Sequence, residues 1–358
     1  MQYTFFTPGP TEPYPTVREH IIRALDLQIT SISHRSDNFR SIYRDTAQAL
    51  KVLLGVSANT HVFFGSSATE WMERIIQNCV AKRSIHFVNG AFSDRFYRAA
   101  IELGKDPVKI EAPFGEAFSL DKIPVDDEIE LVCITYNETS SGVMLKAETI
   151  EHIKARFPNA LVAIDVVSAA PYLRFDADRA DMLFSSVQKG LGMPSGLGFL
   201  IVNDRALAKQ HMLAQQGIIT GSYHSFASLL SQEEKRQTPE TPNVLSIYVL
   251  GKVCEDMLDK GVETIHAETE EKATYIYDVL EAHAHMAPFV SDRSIRSQTV
   301  ITASVQDGSA AYIERMKQAG YMLGAGYKEY KGMQLRIANF PAHSVEQTHN
   351  MIQILKTI

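Results

Sequence analysis

The sequence predicts an α/β fold, with a large domain on a mainly parallel central sheet and a smaller C-terminal α+β domain. Three observations lead there. From about residue 60 to 202, short β-rich runs alternate with helical segments, which is how a parallel sheet with both faces covered reads. The chain has 358 residues, beyond the size at which one hydrophobic core keeps growing, so two domains are the default. A polar stretch with two prolines, SQEEKRQTPETPNV from Ser231 to Val244, reads as a loop, and the texture after it turns helix-rich. The large domain is accordingly drawn over 1–250, with an N-terminal arm over 1–15, and the small domain over 251–358.

The elements follow in order. THVFFG, from Thr60, is strand-like, and WMERIIQNCV, from Trp71, is helical. SIHFVN, from Ser84, reads as a strand, and SDRFYRAAIELG as a helix stopped by Gly104. LVCITYN (Leu131 on), LVAIDVV (Leu161 on), DMLFSSV (Asp181 on) and LGFLIV (Leu197 on) are further strands. A helix-rich portion covers about Gly251 to Ala287, a strand SQTVITASV starts at Ser297, and a helix covers Ala310 to Gln318. After LRIANF the last helix opens on a capping box, Ser344 with Gln347, and carries Val345, Met351, Ile352, Leu355 and Ile358 on one face.

Composition narrows the function. A 45% hydrophobic and 22% charged chain folds as an ordinary globular protein, and a net charge of -7 offers no basic face to nucleic acid or an acidic membrane. No apolar run reaches the roughly 18 residues of a membrane helix, and MQYTFFTPGPTEP lacks the pattern of a signal peptide. Cys79, Cys133 and Cys254 are few and far apart, as free thiols of a cytoplasmic protein would be. His283 and His285 flank one alanine with no further ligand in view, so no metal is expected.

The chemistry concentrates in DMLFSSVQKGLGMPSGLGFLIV, Asp181 to Val202. Lys189 ends an apolar run and is followed by Gly190, Gly192, Gly196 and Gly198, which let a bulky group approach the backbone. A dinucleotide fingerprint does not fit, because Ser195 takes the sixth position and a strand follows where a helix is needed. Upstream, LVAIDVVSA brings Asp165 to the end of the preceding strand. Ligands of such sheets sit outside the carboxyl ends of the strands. An amine that condenses with an aldehyde, beside an acid that keeps a pyridine nitrogen protonated, is what pyridoxal 5'-phosphate requires. In FFGSSATEW, Gly65, Ser66 and Ser67 turn from strand to helix, and free helix amides there suit a phosphate, while Ser67 and Glu70 also read as a plain capping box. Phe92, after Asn89-Gly90-Ala91, could stack on a cofactor ring. Arg336, inside MQLRIANF, needs an anionic partner and suits a carboxylate.

With these segments assembled the chain resembles the class V aminotransferases of the pyridoxal-phosphate fold type I, most of all the phosphoserine branch, over nearly its whole length. TPGPT, Thr7 to Thr11, is similar to the family's substrate-proximal N-terminal loop. The resemblance implies the following roles. His34 and Arg35, in SHR, would lie at the substrate phosphate. Ser66, Ser67, Ala68 and Thr69 would receive the cofactor phosphate, and Phe92 stands where the family has a ring-stacking tryptophan. Thr139, in YNETSSG, would hydrogen-bond near the cofactor, Asp165 would hold the pyridine nitrogen, and Gln188-Lys189 would be the phosphate-contacting glutamine and the Schiff-base lysine. QTPETP would cross to a second subunit, so that Gln237 and Thr238 reach the neighbour's cofactor phosphate in a homodimer with shared sites. Arg336 would grip the substrate α-carboxylate.

There is one departure. The His-Arg pair that the phosphoserine branch carries before this arginine is missing from GYKEYKGMQLR, where Lys328 and Lys331 are the cations. Lysine can hold phosphate as a point charge, so Lys328 is kept as a substrate residue. TPGPT is also more like the alanine–glyoxylate and serine–pyruvate branch, which stands as the alternative. A desulfurase or lyase would need a cysteine on a mobile loop, whereas the three cysteines sit in apolar or helical runs. A cofactor-binding protein without turnover would keep most of the same residues.

Overall fold

The computed structural model describes residues 3–124 and 126–357. Ile358, expected on the apolar face of the last helix, and the first two residues of the arm lie outside the described residues. The strands in chain order are β1 (Thr4–Phe6), β2 (His61–Gly65), β3 (Arg83–Val88), β4 (Asp106–Glu111), β5 (Leu131–Thr135), β6 (Asn137–Glu138), β7 (Val143–Met144), β8 (Leu161–Asp165), β9 (Met182–Ser186), β10 (Gly198–Val202), β11 (Met286–Pro288), β12 (Val300–Val305), β13 (Tyr321–Ala325) and β14 (Gln334–Ala338).

The central sheet has seven strands in the order β2-β10-β9-β8-β5-β3-β4. Its pairs are parallel except those of β10, which runs antiparallel to both β9 and β2. Every residue of β5, β8, β9 and β10 is buried. Both faces are therefore covered, which is why these strands read as nearly continuous apolar runs, with polar residues gathered at the carboxyl ends of β5, β8 and β9. Consecutive side chains feed opposite layers. Phe64 joins the layer of Leu50, Leu53 and Ile247, while Phe63 joins that of Trp71, Ile75 and Phe96. The helices are fixed locally as well. Ser36 caps Asp37–Leu54 by accepting from the Phe39 N–H at 3.2 Å, and Gly55 closes that helix at φ 65.

The second sheet runs β1-β13-β14-β12-β11. Helices Val262–Ala282 and Val345–Leu355 pack Ile276, Leu280, Met351 and Ile352 against Ile301 and Ile337. β1 pairs parallel with β13, Thr4 opposite Tyr321, so Thr4–Phe6 belongs to this sheet. The chain then crosses back over the large sheet's strand ends. Thr11 N–H donates to Gln188 O at 3.3 Å and Tyr14 N–H to Gly192 O at 2.7 Å. The loop expected over Ser231–Val244 is shorter, because Phe226–Glu233 is helical behind a Ser225 cap and Asn243 caps Val244–Lys260. Among the described residues no helix is long and apolar enough to cross a membrane.

Candidate active site

The carboxyl ends of β5, β8 and β9 open into a cavity of about 380 Å³. Asp165 is the last residue of β8, and Lys189 follows the end of β9 by three residues. Both are buried and both line this cavity. Lys189 Nζ donates to Thr139 Oγ1 at 3.2 Å and stands 4.3 Å from the centre of the Phe92 ring. Thr139 Oγ1 donates to Ser168 Oγ at 2.9 Å, which donates to Asn137 O at 2.9 Å, so the amine heads a buried chain of hydroxyls.

Glycines make the lysine's bed. A Cβ on Gly9 would lie 2.7 Å from Lys189 Cε, and Gly9 sits at φ +133. A Cβ on Gly190 would stand 1.8 Å from the Ala170 carbonyl oxygen. Gly190→Ala is therefore expected to cost about 3 kcal/mol or more of stability, read as a lower urea midpoint, with weaker cofactor binding. An unchanged midpoint would mean that the backbone there yields easily.

Burial dominates the electrostatics. It pushes the Lys189 amine down to about 8, against the charges of Asp165 and Glu138, and Arg336 lowers it further. It pushes Asp165 up to about 7, aided by Glu138 and opposed by the Val167 N–H, which donates at 2.8 Å, and by Lys189. An amine poised near neutrality is what both nucleophilic attack and proton transfer need. Arg336, on β14, donates from Nε to Ala325 O at 2.8 Å and from Nη1 to Thr139 O at 3.3 Å, with its guanidinium carbon 5.6 Å from the Tyr327 ring centre. Those bonds occupy Nε and one proton of Nη1 and leave Nη2 for the cavity that Arg336 lines.

The other expected site residues divide. Ala68, Thr69, Phe92, Thr139, Gln188 and Arg336 line the cavity of Lys189. Ser66 and Ser67 line a neighbouring cavity of about 580 Å³ that Thr69 also borders. There Ser67 Oγ accepts from the Glu70 N–H, while the Glu70 carboxylate takes the N–H and hydroxyl of Ser66 at 2.8 and 2.6 Å. Arg35 is exposed and does not line the cavity of Lys189, and it is bonded through Nη1 to Gln237 at 2.7 Å and Gln232 at 2.8 Å. His34 is its chain neighbour, and Thr238 donates to Glu240 O. Lys328 lines a third cavity, of about 320 Å³, and Tyr327 borders both this one and that of Lys189.

Sequence alone does not single out Tyr327, Ser168 and Asn137. Tyr327, Asn137 and Ser168 lie within GYKEY, YNETSSG and LVAIDVVSA, but only the pairing of distant segments turns them toward the site. Cys79, Cys133 and Cys254 are free and buried, and burial pushes each thiol up, away from nucleophilic use.

The donor set fits pyridoxal phosphate. It offers a buried amine, an aromatic face beside it, a carboxyl at a strand end and a helix start, and Thr135 Oγ1 in the same cavity has no partner among the described residues. Residues 5–328 match the family model described as aminotransferase class V. The chain belongs to that family and is a pyridoxal-phosphate-dependent transaminase. It is similar to the solved phosphoserine aminotransferase of Cytophaga hutchinsonii, at TM-score 0.97 and 45% identity over 99% of this chain and 98% of that one. It is 26% identical to the phosphoserine aminotransferase of Rhodococcus opacus, over 98% of this chain and 92% of that protein. An aspartate aminotransferase from Thermus thermophilus shares the fold at TM-score 0.87 and 22% identity, over 99% of this chain and 98% of that one.

Proposed function

We propose that the chain moves an amino group between phosphoserine and 2-oxoglutarate by alternating half-reactions, as a step of serine synthesis. The observation that carries it is one cavity holding both the Lys189 amine and the Arg336 guanidinium. When bound, pyridoxal phosphate supplies a sink for the electrons left on the substrate α-carbon. Arg336 would take the α-carboxylate through Nη2 and the remaining proton of Nη1 and so orient the Cα–H bond toward Lys189 Nζ. Lys189 Nζ would accept that proton and return it on the other side of the transfer. Asp165 would hold the ring nitrogen protonated through a charge-assisted hydrogen bond. Phe92 would cover one ring face, and Thr139 would steady the amine. Ala68, Thr69 and Gln188, with Ser66 and Ser67 at the rim, would receive the cofactor phosphate.

Phosphoserine as donor is supported by the two relatives named for it. A homodimer is supported by the cluster of Arg35 with Gln237, off the chain's own cavity, which a second copy would present together with His34 and Thr238. A cytoplasmic setting is supported by three unpaired thiols. A second reading, a small donor such as alanine or serine with glyoxylate or pyruvate, is favoured by Arg336 being the single guanidinium that lines the cavity among the described residues, with Lys328 on a different one. The test presents phosphoserine, glutamate, alanine and serine singly to the yellow holoenzyme and follows loss of the visible band. Phosphoserine and glutamate are expected to bleach it. Bleaching by alanine and serine alone would turn the assignment to the second reading.

A further inference from the structure

The turn into helix Ala91–Glu102 carries Phe92 to the cavity. Every backbone N–H from Asn89 to Ser93 is taken there by side chains. Those of Asn89 and Gly90 donate to Ser93 Oγ, each at 3.1 Å, and that of Ala91 donates to Ser140 Oγ at 2.9 Å. Those of Phe92 and Ser93 donate to Glu138 Oε2 at 3.2 and 2.9 Å. Glu138, fully buried on β6, also accepts from the N–H and hydroxyl of Ser140 at 3.1 and 2.6 Å. A helix start ordinarily leaves such donors to water or an anion, and its dipole favours negative charge. Here a carboxylate from the hairpin that carries Thr139 fills that place. The fit is close, because a Cβ on Gly90 would lie 2.4 Å from Glu138 Cγ. One side chain thus ties the Phe92 wall to the Thr139 wall.

We propose that Glu138 is a positioning residue of the cofactor site, clamping the Phe92 ring and the Thr139 hydroxyl on either side of the Lys189 amine and setting one fixed negative charge behind them. The proposal rests on the reading of Lys189 as the residue that bears the cofactor. The charged groups acting on Lys189 are Asp165, Glu138 and Arg336, and those acting on Asp165 are Lys189 and Glu138. The charge of Glu138 favours the protonated form of both.

Glu138→Gln turns one acceptor into a donor aimed at other donors and removes the charge. Its full-length apoprotein, titrated with pyridoxal 5'-phosphate and read by the fluorescence of Trp71, is expected to bind about tenfold more weakly or worse. In the loaded protein the pH midpoint of the visible band should move to lower pH. Ser140→Ala keeps the charge but leaves Ala91 N–H without its acceptor, so it should weaken binding without moving the midpoint. A Glu138→Gln protein that melts earlier yet keeps the parental affinity and midpoint overturns the proposal. If Glu138→Gln does not fold, unchanged affinity in Ser140→Ala overturns it. A parent with no borohydride-trapped adduct on Lys189 removes the underlying site reading and the clamp with it, whereas a trapped parent with unshifted variants removes the clamp alone.

Discussion

Replacement of Lys189 by alanine is expected to lower transamination by a factor of about 10³ to 10⁴ while the chain still folds. The reason is geometric before it is chemical. The amine is the one lysine nitrogen that lines the cavity among the described residues, and the other cation there, Arg336, does not release a proton in the working pH range. A water that entered the space left by the side chain could not reproduce a base held at 3.2 Å from Thr139 and 4.3 Å from the Phe92 ring centre. Folding should survive, because the variant removes a buried amine that burial already discourages from carrying charge. The measurement is turnover with the best donor of the panel, together with mass analysis after borohydride treatment. Appreciable turnover by the variant, or an adduct trapped elsewhere in the parent, would take Lys189 out of this role.

Much of this site was legible in the sequence because it sits at the ends of buried parallel strands, and such strands announce themselves. Leu161 to Ile164 and Met182 to Val187 carry only apolar or small side chains, since both sheet faces are covered, and Asp165 stands out directly after the first run and Lys189 shortly after the second. The glycines after Lys189 were also informative, as the contact of Gly190 with Ala170 shows. What stayed hidden depends on contacts between distant segments. The hydrogen bonds from Ser93 to Glu138 span 45 residues, and the pairing of β1 with β13 joins the first described residues to the last third of the chain. Neither leaves a local periodicity. β4 leaves no sequence signal for a different reason. It is an edge strand, partly exposed throughout and carrying Pro107, so it has no apolar signal. The polar stretch after Ser231 reads as one loop because its composition is that of a turn. Caps at Ser225 and Asn243 allow helices to run in from both sides.

Asp165→Asn is expected to separate stability from function, with opposite signs. In the folded apoprotein the Asp165 carboxyl is raised from 3.8 to about 7. Between those two pH values the native state holds a proton that the unfolded chain has released, so stability falls as pH rises through that window. Below it the acid costs nothing by this route, and above about 7 the full penalty applies, on the order of 4 kcal/mol. Asparagine keeps the acceptor for the Val167 N–H, which donates at 2.8 Å, and carries no charge to bury. The apo variant should therefore be more stable than the parent at pH 8, with the gain shrinking steadily toward pH 4. Lys189 opposes part of this gain. Its amine is lowered from 10.5 to about 8, so its own penalty is present below 8, and losing the neighbouring carboxylate deepens it. The holoenzyme should respond the other way. An amide cannot hold a proton on the ring nitrogen as a carboxylate does, and the half-reaction with the preferred donor should slow by about 10² or more. Urea unfolding of apo parent and variant at pH 5 and pH 8, beside single-turnover bleaching of the visible band, measures both arms. Equal stability differences at the two pH values would contradict the buried-acid account, and parental bleaching rates would remove Asp165 from the cofactor's ring.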